Sequence, residues 1–140
     1  MNQETYLEVS EENGRALFMR ELEGEVLMLN LLKFREKADY SKHPELKPEK
    51  AISGKEAYDL YMKYTLPHLR ESGGAVLFFG HGGQYLIGPS DEHWDIAMLV
   101  KHQSVATFMD FAQNEAYLNT AGHRTAALED SRLLPLSSDI

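Results

Sequence analysis

Between Glu25 and Phe34 the chain reads EVLMLNLLKF, with apolar residues at nearly every position. Laid out as a strand, Val26, Met28, Asn30, Leu32 and Phe34 point one way, and Leu27, Leu29, Leu31 and Lys33 point the other. A strand that is apolar on both faces must be covered on both. Trp94–Lys101, WDIAMLVK, has the same two-sided pattern. Helices can cover one face of the resulting sheet, and a partner subunit is the economical cover for the second.

Periodicity elsewhere predicts the remaining elements. Ser10 caps a short helix whose apolar face is Leu17, Phe18 and Leu22, and Gly24 ends it. Residues 35–52 form a polar stretch with two prolines and no period, which reads as a lid, a dimer arm or a mobile segment. Ser53 and Glu56 match a capping box. The helix they open runs to about Ser72, buries Ala57, Leu60, Tyr61, Tyr64 and Leu69, and is expected to kink or restart at Pro67. Ala75–Phe79 is a second strand, interrupted by Gly80-His-Gly-Gly83 and resumed over Gln84–Ile87. It reads as bent or bulged, with a tight hairpin as the alternative. Ser104 caps a helix to about Gln113, and Asn114 caps another to about Glu129. Ser131–Leu136 is the last strand, with Pro135 placing that end at a sheet edge.

The order strand, helix, strand, strand, helix, strand points to a ferredoxin-like βαββαβ unit of the α+β class. Its antiparallel four-stranded sheet carries helices on one face. Residues 1–24 form an N-terminal helical extension and residues 25–140 a single domain.

Composition narrows the function classes. The chain has 140 residues, 43% hydrophobic and 26% charged, as expected of one globular domain. It has no cysteine, which excludes disulfides, thiolate metal sites and a thiol nucleophile. A formal charge of −8 with scattered Lys and Arg argues against nucleic acid as a partner. The polar, acidic start does not read as a targeting peptide, and no apolar run approaches membrane-spanning length. A soluble, cytoplasmic protein without membrane contact is expected.

A family resemblance rests on MLNLLKF, ADYSKHPELKP, SGKEAY, TLPHLRESGG, LIGP, HWDIAMLV and, most specifically, AYLNTAGHRTAALEDSRLLPL. Across about residues 25–136 the chain resembles the domain-of-unknown-function 1330 (DUF1330) family of the dimeric α+β barrel superfamily. The resemblance implies a homodimer whose two sheets pack face to face into a barrel. The wider superfamily includes cofactor-independent quinone-forming monooxygenases, muconolactone isomerases, dye-decolourising peroxidases and stress-response binding domains. It therefore implies a fold without choosing a chemistry.

Candidate chemistry is sparse. The six histidines, His43, His68, His81, His93, His102 and His123, include no helical i, i+4 pair and no HExxH, so no metal or other cofactor is expected. No nucleophile elbow or phosphate loop is present. His81, inside the glycine run, reads either as a turn residue or as a catalytic acid or base, with Tyr58 as a second candidate to move a proton. On the last helix Tyr117, Ala121, Arg124 and Leu128 share one stripe, which sets a guanidinium among apolar residues. Arg124 reads as a structural partner of Asp95, Asp130 or Glu129, or as the anchor for an anionic or carbonyl-bearing ligand. The Asn30 amide interrupts an apolar face and must be hydrogen-bonded to protein, water or ligand. Together with Trp94 and Tyr61, these groups outline a small-molecule pocket between sheet and helices. Three functions fit: a cofactor-independent enzyme, monooxygenase- or isomerase-like, acting on a small apolar or carbonyl-bearing molecule; a non-catalytic binding or sensing module; or a purely structural homodimer.

Overall fold

A computed structural model of the chain describes residues 4–138. The two apolar runs become the central strands of one antiparallel sheet. β1 (Val26–Phe34) lies between β3 (His93–His102) and β4 (Leu128–Ser137), and β2 (Ala75–Gln84) pairs beyond β3, giving the order β2-β3-β1-β4. Across the middle, Asn30 faces Met98 on one side and Leu133 on the other. α2 (Gly54–Glu71) joins β1 to β2. α3 (Val105–Ala112), α4 (Glu115–Thr120) and α5 (Gly122–Ala127) join β3 to β4. This is the ferredoxin-like βαββαβ arrangement, preceded by α1 (Glu11–Met19). No helix among the described residues is long and apolar enough to cross a membrane.

The core lies between one sheet face and the helices. Val26, Met28 and Leu32 of β1 and Ile96, Met98 and Val100 of β3 pack with Ala57, Tyr58, Tyr61 and Leu69 of α2. The alternate residues of the same strands, Leu27, Leu29, Leu31, Ala97 and Leu99, turn to the opposite face and are only partly covered. Leu134 and Phe78 share that face by register and are 54% and 58% exposed.

The helix starts follow their caps. Ser53 Oγ accepts from the Glu56 N–H and Glu56 Oε1 accepts from the Ser53 N–H, both at 3.0 Å. Ser10, Ser104 and Asn114 cap α1, α3 and α4. The helix ends depart from the sequence pattern. α1 stops at Met19 with Glu21 at φ 50°, three residues before Gly24. α2 runs unbroken through Pro67, because its buried stripe continues across that residue as Tyr61, Thr65 and Leu69. That stripe is rotated from the expected one: Tyr58 and Thr65 are inside, while Tyr64 is 40% exposed. The single helix expected from Asn114 to Glu129 is two short ones broken at Ala121–Gly122, and β4 begins at Leu128 because pairing with Phe34 overrides helix propensity there.

β2 is continuous through the glycines, neither broken nor turned back at them, and its register shift falls earlier, between Val76 and Phe78. A Cβ on Gly82 would lie 2.5 Å from the Trp94 carbonyl oxygen, so this glycine serves close strand approach. Residues 35–52 form a stitched cover. Arg35 N–H donates to Ala127 O and Asp39 N–H to Ala126 O, each at 2.9 Å, while Ala38 N–H donates to Ile52 O at 3.0 Å. Tyr40, within this cover, is buried.

Candidate functional site

An open cleft of about 510 Å³ lies where the end of β1 meets the start of α2 and the β2–β3 pair. Its apolar walls are Phe34, Trp94 and Ile96, and its polar ones include Arg35, Glu36, Lys55, His81 and Asp95. The backbone of Arg35 is fixed at both ends, since its N–H donates to Ala127 O and its carbonyl accepts from the Gly54 N–H at 3.1 Å. A Cβ on Gly54 would sit 2.1 Å from that same carbonyl, so only glycine admits this approach. Arg35 Nε is buried without a hydrogen-bond partner. Asp95 Oδ2 accepts from the Phe34 N–H at 2.8 Å and ties β3 to the end of β1. Lys55 Nζ meets Asp59 at 3.2 Å in an exposed i, i+4 pair, which holds it only weakly.

His81 and Trp94 are the two candidate residues that reach this cleft. His81 is exposed. Trp94 is 3% exposed, with its indole N–H directed at the Tyr85 hydroxyl (2.8 Å) and Glu92 (3.1 Å). The Arg132 guanidinium lies 5.0 Å from its ring centroid.

The other candidates gather elsewhere. Tyr58, Tyr61 and Tyr117 form an aromatic column with Phe34 and Phe111, with adjacent ring centroids 4.7–6.1 Å apart. The Tyr61 and Tyr117 hydroxyls are 2.8 Å apart. Burial drives the Tyr58 and Tyr61 hydroxyls well above the usual phenol range, against a smaller opposing pull from the Arg124 charge. Neutral phenols at such positions can donate hydrogen bonds but are poor bases. Asn30 is 6% exposed and its Nδ2 donates to Met28 O at 3.1 Å, so the amide is tied to its own strand.

Arg124 takes none of the expected carboxylate partners. Among the described residues no carboxylate stands within ion-pair distance of it. Its Nη1 donates to Leu7 O at 2.6 Å and its Nη2 to Ser131 Oγ at 3.3 Å. Asp130 instead accepts from Tyr6 N–H, Ser131 N–H and Arg132 Nη1.

Two histidines are buried away from the cleft. His123 Nδ1 is 2.7 Å from the Tyr40 hydroxyl, and burial lowers its pKa. His102 is 2% exposed against the rings of Phe108 and Phe111, its Nδ1 has no partner, and burial pushes its pKa down to about 4. Among the described residues no group of three or more His, Asp or Glu is placed to hold a metal ion. Sequence reasoning passed over Arg35 and Lys55, which carry no local signal: one follows a strand and the other sits inside a capping box. Only the tertiary contact of Gly54 with Arg35 joins them.

No family model matches the chain, and no curated protein matches it. Among solved structures, a protein of unknown function from Rhodopseudomonas palustris is 33% identical over 95% of this chain and 96% of its own, with a TM-score of 0.83. A methylated form of that protein gives 33% identity over 96% and 95% of the two chains, at 0.84. Two more distant structures share the fold. One is a dimeric Bacteroides fragilis protein of unknown function with a ferredoxin-like fold (11% identity, TM-score 0.50, 84% of this chain and 99% of that one). The other is a DABB-family protein with a ferredoxin-like fold from Mesorhizobium loti (9%, 0.50, 83% and 98%). At 33% identity over nearly the whole of both chains, the present chain belongs to the family of the Rhodopseudomonas palustris protein.

Proposed function

We propose that the protein is a DUF1330-type homodimer, one domain from residue 25 onward with an N-terminal extension, that binds a small carbonyl-bearing or anionic molecule in the cleft beside Arg35 and His81. The observation that carries the ligand reading is the fixed Arg35, whose buried Nε lacks a partner at the wall of a hollow with room for a metabolite. In this reading the guanidinium fork takes the carbonyl or anionic oxygen, Trp94 and Phe34 flank the apolar part, and His81 moves a proton. Asn30 and the Tyr58, Tyr61 and Tyr117 column are support for the sheet and α2, outside this cleft.

The dimer reading rests on the half-covered apolar face of β1 and β3, and the Bacteroides fragilis protein of this fold is described as dimeric. The hairpin between β2 and β3 adds to it. Leu86 and Ile87 at its tip are 100% and 92% exposed, while Tyr85, Glu92 and Trp94 brace its base. An apolar tip held by a rigid base fits a surface that another copy covers.

A second reading, binding without chemistry, is favoured by one observation: His81 is exposed, and no second side chain among the described residues hydrogen-bonds to it. A thermal-shift screen of small carboxylic and carbonyl metabolites tests both. Arg35→Gln should weaken a stabilising compound by about tenfold. If Arg35→Gln binds it as the wild type does, the cleft reading falls. Turnover that is lost in His81→Asn with binding retained marks an enzyme, and binding without turnover in the wild type marks a sensor.

A further inference from the structure

The stretch from Glu4 to Val9 runs beside an edge strand without joining its ladder. It is held by side chains. Tyr6 N–H donates to Asp130 Oδ1 at 2.8 Å, Ser131 Oγ donates to Tyr6 O at 2.5 Å, and Arg124 Nη1 donates to Leu7 O at 2.6 Å. The Tyr6 ring lies 4.8 Å from the Arg132 guanidinium. The Leu7 side chain packs against the core. A half-buried guanidinium with no carboxylate at ion-pair distance among the described residues thus takes a carbonyl oxygen from an arm residue whose own side chain packs on the core. The buried phenols of Tyr58 and Tyr61 feel its charge, and Tyr117 is hydrogen-bonded to Tyr61.

We propose that Leu7 is a built-in stand-in for a ligand, and that Arg124 under the N-terminal arm is a second binding site, for a small apolar carboxylate. The carboxylate gives Arg124 the full negative charge that a carbonyl lacks, in a bidentate geometry the guanidinium fork favours. The apolar body takes the place of the Leu7 side chain against the core. A ladder of main-chain bonds would fuse the arm to the sheet, whereas three side-chain hydrogen bonds let it leave as a unit. Arm release and ligand entry are then one equilibrium, and apparent affinity scales with the fraction of molecules in which the arm is off.

The test uses the full chain with two probes, isocaproate (leucine without its amino group) and benzoate, followed by calorimetry and by hydrogen exchange of residues 5–9. Leu7→Gly, which empties the apolar seat and loosens the arm, should bind at least one probe about tenfold more tightly than the wild type. Adding Arg124→Gln to Leu7→Gly should abolish that gain. Arg124→Lys, which keeps the charge but loses the fork, should abolish most of it, and guards against an unfolded Gln variant. Bound probe should speed exchange at the Tyr6 and Leu7 amides in the wild type. Four results would each overturn the proposal: no binding of either probe by Leu7→Gly, affinity no better than wild type, a gain that survives both Arg124 changes, or binding that leaves arm exchange unchanged.

Discussion

At the scale of single residues, the chemistry follows from which polar groups the fold leaves unpartnered. His102 is the sharpest case, a neutral imidazole among phenyl rings. The unfolded chain accepts a proton at about pH 6.5, and the folded chain resists it until about pH 4. Stability is therefore whole above pH 6.5 and falls as pH drops toward 4, by up to about 3 kcal/mol from this residue. Buried His123 acts in the same direction. Urea unfolding at pH 7.5 and 4.5 should show a loss for the wild type that shrinks in His102→Leu. An equal loss in both would remove His102 as the cause. Gly54→Ala places a methyl against two carbonyl oxygens and should destabilise by about 3 kcal/mol or more, read from thermal unfolding. Sequence singled out His81, Trp94 and Arg124 by residue type and pattern. It was silent on Arg35, because nothing within a few residues of Arg35 shows that Gly54 will lock its backbone.

At the scale of elements, what was legible is what local chemistry determines. The capping box at Ser53, the caps at Ser104 and Asn114, and the two-sided strands of β1 and β3 all read directly from the chain. Where long-range contact competes with propensity, the sequence pattern misleads. Leu128–Asp130 continues a helical rhythm, yet pairs with Lys33 and Phe34 as strand. The resulting break at Gly122 dissolves the stripe that placed Arg124 on the same face as Tyr117. The long connection of residues 35–52 lacks a period because its order comes from bonds to α5 and from Tyr40 meeting His123, not from a helix or strand of its own. Tyr40→Phe should lower stability by about 1 kcal/mol and raise exchange across residues 38–43. Unchanged exchange there would show that the cover is held without that contact. The β2–β3 hairpin belongs to this scale too. Leu86→Ser with Ile87→Ser should weaken self-association about tenfold while leaving the unfolding midpoint of the monomer in place.

At the scale of the whole molecule, one sheet face is filled by helices and the other is not. Alternation makes this unavoidable: a strand that sends Val26, Met28 and Leu32 into the core sends Leu27, Leu29 and Leu31 the opposite way. The helices lie on a single side, so the second apolar surface is the one the proposed second copy would cover, and the cleft at Arg35 lies at the end of that same sheet. The proposed dimer depends most on this surface. Sedimentation velocity across a wide concentration range, on the wild type and on Leu29→Lys, tests it directly. The wild type should sediment as a dimer down to micromolar protein, and Leu29→Lys as a folded monomer. A wild type that remains monomeric at every concentration, or a Leu29→Lys variant that is as dimeric as its parent, would contradict it.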